Sequence, residues 1–330
     1  MRLLLTTPAY FIGSFFDLLA ADAVDAADVF VRVLKTVDEE IACREAQTEL
    51  QQRARNTQIK DRMREQCMPQ LVDTCLNIVE SASADTAHVP LARSCLDVLS
   101  TFTWWVDLSL IACDRFLALL AKFLSNEDLR ISAANNLHAI VCKQMQPEEK
   151  MPLLQRLELL PLLQTGAALV DEACVSEHEN FIGRLAALTT AFATECMNCS
   201  DLMHGRGGGV PDDADRFLLG CVPLVGMYMN ALGHGDSSSC CVKFLQNYFN
   251  RLRRVAGRDP SAAQPHIGHV RPLVPVLVNK MMFPLDFSFD KGGEDEVEFV
   301  GRRKELCVLF RTAAAIDETA ALQVMRASKV

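Results

Sequence analysis

The sequence predicts an all-α protein, and more specifically an α-solenoid in which antiparallel helix pairs stack into a curved superhelix. Apolar residues recur at helical spacing almost everywhere, for example from Phe30 to Ile41 and from Leu153 to Leu160. Pairs of such segments recur about every 40 residues, the length of HEAT-type repeats. Each pair has a face too apolar to stand alone, so the pairs must stack on one another. About six stacked pairs are expected. A compact helical bundle is the alternative.

The strand pattern of alternating apolar and polar residues is absent, although Val274 to Val278 is a strand candidate. Pro272 and Pro275 make a helix entry equally plausible there. Capping signals place helix starts at Ser125 to Asp128, Pro147 to Glu149 and Pro211 to Asp213. One continuous solenoid segment over residues 1–330 is expected, with helices near 8–21, 25–43, 53–81, 86–103, 106–125, 127–145, 148–165, 175–202, 212–233, 238–256, 263–282, 294–315 and 317–327.

Composition narrows the class of protein further. The 330 residues include 33 Lys and Arg against 42 Asp and Glu, a formal net charge of −9, and half of them are apolar. A disordered chain and a protein that coats nucleic acid with an overall basic surface are therefore not expected. Thirteen Cys scattered through apolar stretches indicate buried thiols in a reducing compartment. No stretch reaches the ~20 apolar residues of a membrane span, so we expect no membrane insertion.

No motif predicts catalysis, a cofactor or a metal. Cys196 and Cys199 form a CxxC without a second pair, which favours thiols on a buried helix face. His266 and His269 lack a neighbouring carboxylate and read as loop and helix-entry surface. The loop Gly205 to Gly209 lacks the Lys-Ser/Thr of a phosphate-binding loop. Asp286 to Asp290 fails the calcium-loop pattern. The sequence therefore predicts a protein that is not an enzyme.

Clusters of like charge are the candidate binding sites. Basic residues cluster first from Arg53 to Arg64 and again from Arg251 to Arg258. Both clusters are candidate phosphate-contact surfaces, and a solvated helix face is the alternative. Within the first cluster, Lys60 and Arg64 share one helix face, whereas Arg62 points elsewhere and could pair with a carboxylate. The residues predicted to contact phosphate are Lys60, Arg64, Arg53, Arg55, Arg253 and Arg254, with Arg251 and Arg258 flanking the last two.

A third, acidic cluster follows a glycine-containing loop. Capping of a helix N-terminus explains one or two of its carboxylates, but the density also suits a basic protein partner. The residues predicted to contact that partner are Asp286, Asp290, Glu294, Asp295 and Glu296, followed by Glu298.

Four segments resemble one known family. They are Phe15 to Leu19, Asn56 to Val72 (NTQIKDRMREQCMPQLV), Trp105 to Phe116 (WVDLSLIACDRF) and Phe289 to Glu305. In this order they are similar to the middle portion of exportin-T, the tRNA nuclear-export receptors of the importin-β (karyopherin) superfamily. Met1 aligns inside the family, so its first repeats and most of its carboxy-terminal solenoid lie outside this sequence.

The resemblance implies a HEAT-repeat receptor that shuttles between nucleus and cytoplasm. It implies tRNA and the small GTPase Ran in its GTP form as joint partners, with nuclear pore proteins met on the way, and a monomer. The acidic cluster would then face Ran, and the basic residues would face tRNA. A HEAT-repeat scaffold or karyopherin-like transport factor that binds only proteins is the second hypothesis.

Overall fold

The computed structural model describes residues 13, 14, 16, 17, 23–42, 50–168, 175–205, 212–233, 238–283, 287, 289 and 293–327. Within these ranges the regular structure is entirely helical. The chain divides into two compact units, residues 1–144 and 145–330.

Unit 1 consists of helices whose amphipathic faces pack in pairs. Helix α4 lies at its centre, in contact with α1, α3 and α7. Short π and 3-10 turns cover Asp38–Ala42 and Thr86–His88. The α-helices are α1 Ala23–Val37, α2 Leu50–Gln66, α3 Met68–Ser83, α4 Val89–Phe102, α5 Leu108–Ile111, α6 Asp114–Phe123 and α7 Arg130–Cys142.

Unit 2 is built around α10, which packs against α8, α11 and α12. Helix α15 packs against α12 and α14. The helices are α8 Pro147–Arg156, α9 Leu159–Ala167, α10 Val175–Gly205, α11 Asp212–Ala231, α12 Ser239–Arg258, α13 Pro260–Val270, α14 Leu273–Met281, α15 Glu294–Ile316 and α16 Glu318–Ala327.

Several predicted helices are in fact two. The prediction of one helix over 53–81 was wrong, because Pro69 lacks an N–H and α3 begins around it. The predicted helix 148–165 is interrupted at Glu158, whose φ of 45° is left-handed. Helix 106–125 is divided at Ala112 and Cys113, and 263–282 at Arg271 and Pro272.

Two local signals were read incorrectly. Val274 to Val278 lies inside α14, so its apolar run is a buried helix face rather than a strand. The predicted capping box at Ser125 is absent, because the Asn126 Oδ1 accepts the N–H groups of Asp128 and Leu129 instead. By contrast, α8 carries Pro147 and two carboxylates in its first turn, as predicted.

The α11 backbone approaches its neighbours closely at two glycines. A Cβ at Gly220 would lie 2.6 Å from a Leu160 methyl, and one at Gly226 would lie 2.5 Å from a Leu273 methyl. Glycine therefore sets how near α9 and α14 can come to α11.

Replacing Gly220 with Val is expected to destabilise unit 2 by about 1–3 kcal/mol, because the added methyls must displace Leu160. The matched control is Gly257→Val, at an exposed helical glycine with open space around its Cβ position. Its free energy of unfolding should change by less than about 0.5 kcal/mol. Urea denaturation followed by circular dichroism measures both, and equal losses would show that packing at Gly220 is not tight.

Candidate nucleic-acid interface

Two of the predicted basic residues of α2, Lys60 and Arg64, are engaged by neighbouring groups of the chain. Lys60 is 8% exposed, and its Nζ lies 4.6 Å from the centre of the Trp104 ring. Arg64 donates from Nε to the Trp105 carbonyl at 2.8 Å and also pairs with Asp61. The guanidinium Cζ of Arg64 lies 5.7 Å from the Trp105 ring, within cation–π range.

Lys143, at the end of α7, completes this arrangement. Its Nζ donates to the carbonyl oxygens of Thr103 and Val106, each at 2.8 Å, and lies 3.4 Å from that of Trp104. Carbonyls that follow the end of α4 have no partner within that helix, and cationic side chains supply one. We call residues 102–106 with Lys60, Arg64 and Lys143 the tryptophan corner.

The corner changes the interpretation of the first basic cluster. Lys60 and Arg64 do share a face, as predicted, but that face packs against Trp104 and Trp105 of the tryptophan corner. The expectation that Arg62 pairs with a carboxylate was wrong, because Arg64 takes Asp61 and Arg62 has no partner within the described ranges. Arg53 is exposed, and Arg55 is half-buried.

The second basic cluster lies on α12, a helix with no carboxylate. Its 20 residues include five Lys or Arg and no Asp or Glu. Its buried side faces the core of unit 2 with Phe244, Tyr248 and Leu252 among others. Its outer side exposes Gln246, Asn247, Asn250, Arg253, Arg254 and Arg258, which we call the basic face.

Arg253 and Arg254, which the sequence predicted as binding residues, lie on the basic face and are exposed to solvent. Arg253 has no ion-pair or hydrogen-bond partner in the part of the chain that the structure describes. Arg254 is 69% exposed and lies 3.9 Å from Asp201, a separation at which solvent weakens the pair. Both guanidinium groups can therefore bind an anion from outside the chain.

Arg251 has a different environment, although it belongs to the same sequence cluster. Its side chain is 11% exposed, and it donates to Asp201 at 2.6 Å and to the Ser200 hydroxyl at 2.9 Å. Asp215 lies 3.6 Å away on α11. These contacts line one side of a cavity of about 360 Å³, with Arg258 on its rim. Arg251 thus ties α12 to α10 and α11 and holds the basic face in place.

The HxxH motif is part of this support. The prediction that it lies on a loop surface was wrong, because His266 is buried inside α13 with its Nδ1 2.9 Å from the Tyr248 hydroxyl. Burial lowers the pKa of His266 and so favours its neutral form, in which Nδ1 and the Tyr248 hydroxyl share a hydrogen bond. The motif therefore fixes α13 to α12.

The acidic cluster is only partly within the described residues. Asp286 and Asp290 lie outside them, and the side chain of Asp295 is not described. Glu294 is exposed at the start of α15. Glu296 is half-buried, and its Oε2 has no hydrogen-bond partner within the described ranges.

Cys196 and Cys199 are buried on α10, as predicted, and burial raises the pKa of the Cys199 thiol to about 11. Among the described residues, no three His, Cys, Asp or Glu side chains are grouped as a metal site. Nor does that part of the chain contain a helix long and apolar enough to cross a membrane.

The sequence of this chain is similar to those of known transport proteins. A family model described as exportin 1-like protein matches residues 6–137. Exportin-T of Danio rerio is 29% identical over 316 residues, which are 94% of this chain, and exportin-T of Mus musculus is 30% identical over 319 residues, also 94%. The resemblance to exportin-T is confirmed. Exportin-T of Arabidopsis thaliana is 27% identical over 88% of the chain.

The chain spans 32% of the length of the zebrafish and mouse exportin-T proteins. Among solved structures, importin 13 in its cytosolic state superposes with a TM-score of 0.69 at 12% identity, over 99% of this chain and 39% of importin 13. The predicted fold class, an α-solenoid of HEAT-like antiparallel helix pairs, is confirmed by this match.

Proposed function

We propose that this chain is part of a nuclear export receptor for tRNA. In this proposal it binds tRNA together with Ran in its GTP form, passes the nuclear pore by contact with pore proteins, and releases its cargo in the cytoplasm. The similarity to exportin-T along 94% of the chain supports the assignment to nuclear transport.

The basic face of α12 is the observation that carries the RNA part of the proposal. A helix with five cationic side chains and no carboxylate stands out on a chain whose net charge is −9. Duplex RNA presents phosphates and 2′-hydroxyl groups rather than readable base edges, so Arg side chains with neighbouring amides suit it. Arg253 and Arg254 would bind phosphate oxygens, and Asn250 would donate to a phosphate or a ribose.

The acidic start of α15 supports the Ran part of the proposal. Glu294 is exposed, and Glu298 is held by Arg302 at 2.9 Å. Carboxylates in this position would mainly steer a basic partner surface and make association depend on salt. Asp286, Asp290 and Asp295 stay candidates on sequence grounds, as do Lys60, Arg64, Arg53 and Arg55 for RNA.

The second candidate function is a scaffold that binds only proteins. A partly exposed aromatic cluster favours it: Phe283, Phe287, Phe289 and Phe299 make mostly tilted ring contacts with centres 4.6–5.2 Å apart, and Phe289 is 63% exposed whereas Phe299 is buried. Such apolar surface is typical of protein contacts.

A variant without the Arg253 and Arg254 side chains distinguishes the tRNA-binding function from the protein-binding scaffold. The Arg253→Ala/Arg254→Ala variant should weaken binding of different tRNAs about equally, since phosphate contacts carry no sequence information. It should flatten the slope of log affinity against log salt by about 1.5, because each phosphate contact contributes about 0.7–0.9. Fluorescence anisotropy with labelled tRNA between low and moderate salt, with and without RanGTP, measures the slope.

The matched control is Lys304→Ala/Arg311→Ala, which removes two exposed cations from α15 instead. Its slope should be that of the unaltered chain. Equal flattening in both variants would mean that RNA senses only net charge. An unchanged slope in the α12 variant would rule out the basic face and leave the protein-binding scaffold.

A further inference from the structure

A second cationic site lies in unit 2 at the opposite end of α12 from Arg258. A cavity of about 230 Å³ opens between the end of α11, the first turns of α12, and helices α14 and α15. Lys243, Lys280 and Arg302 line it, one from each of α12, α14 and α15. Glu305 is the one carboxylate in the described lining.

Two of the three cations are positioned by hydrogen bonds or ion pairs. The Lys280 ammonium donates to the Leu232 carbonyl at 2.7 Å, and its three N–H groups leave two for another acceptor. Arg302 is 20% exposed and is oriented by Glu298 at 2.9 Å. Lys243 is exposed and has no partner within the described residues.

The local field adds to this excess of positive charge. Helix α12 begins at the cavity, with Ser238 at its N-cap. The N–H groups of the first turn, together with the helix dipole, favour negative charge there. Burial lowers the pKa of Lys280, so a bound anion would stabilise its charged form.

We propose that this cavity binds a small phosphate-bearing anion, with Lys243, Lys280 and Arg302 as the groups that contact its oxygens. Its volume suits a phosphate or diphosphate group. Arg302 offers a planar fork of donors, and the two lysines offer point charges that tolerate a tetrahedral ligand. The ligand would join α12, α14 and α15 at this end of the unit.

Titration of the full chain with inorganic pyrophosphate by calorimetry, at constant ionic strength in sodium chloride, tests the site. We expect saturable binding with a stoichiometry near one. Lys243→Ala and Lys280→Met should each weaken it about tenfold, since each removes a charge-assisted hydrogen bond. Lys304→Ala, at an exposed lysine of α15 outside the cavity, should leave the affinity unchanged.

Two further measurements keep the result decisive. Arg253→Ala/Arg254→Ala should retain pyrophosphate affinity, which separates this site from the basic face. If Lys280→Met fails to fold by circular dichroism, Lys243→Ala decides alone, because its side chain is exposed. Absence of saturable binding, or equal weakening in Lys304→Ala, would overturn the proposal and indicate surface charge only.

Discussion

The Lys143→Met substitution is expected to lower the free energy of unfolding of unit 1 by about 3 kcal/mol relative to the unaltered chain. Lys143 donates to the carbonyls of Thr103 and Val106, whose residues are each 1% exposed. Hydrogen bonds to a charged donor contribute roughly 1.5–3 kcal/mol, and their removal leaves buried acceptors without a partner. Methionine keeps the length of the side chain, so packing is largely preserved.

Denaturant unfolding of Lys143→Met measures this loss, and Arg62→Met is its matched control. Arg62 is an exposed cation of α2 outside the tryptophan corner, so its replacement should change stability by less than about 0.5 kcal/mol. Arg64→Met should fall between the two, because it removes one carbonyl bond and one cation–π contact. If Lys143→Met is as stable as Arg62→Met, the corner carbonyls are satisfied without the ammonium.

The Glu195→Ala variant is expected to destabilise unit 2 by about 3 kcal/mol. Lys150 on α8 has 1% of its side chain exposed, and its Nζ lies 3.1 Å from the Glu195 carboxylate on α10. Removing one partner of a buried ion pair costs roughly 3–5 kcal/mol, because a counter-charge is lost where water has little access. Glu195 is itself 28% exposed, so water can replace part of the lost contact and the lower end of that range applies.

A double-mutant cycle makes this prediction specific. Lys150→Met/Glu195→Ala should be more stable than Glu195→Ala alone, because the apolar side chain no longer needs a counter-charge. Urea denaturation of the two single variants and the double variant gives the coupling energy. A double variant that is less stable than Glu195→Ala would show that the Lys150 chain stabilises the unit through packing alone.

Charge clustering in the sequence predicted only part of the candidate site. Arg253 and Arg254 were predicted from clustering, and their exposure follows from the strong amphipathicity of α12, where apolar residues at helical spacing occupy the other side. The same reasoning did not anticipate the contact between Lys60 and the Trp104 ring, because Trp104 lies 44 positions later in the sequence. The cavity of Lys243, Lys280 and Arg302 gave no sequence signal, since its members are 37 and 22 residues apart.

By itself, the sequence determined the helical class of this protein, its resemblance to exportin-T and the solvent-facing side of α12. These properties depend on periodicity and composition, which act over a few turns of chain. Only the tertiary structure decided which cations are structural and which are open. Whether Lys60, Lys143 or Arg251 meets a ring, a carbonyl, a carboxylate or water depends on the helix that packs beside it. That packing is set by long-range burial of apolar faces rather than by local spacing.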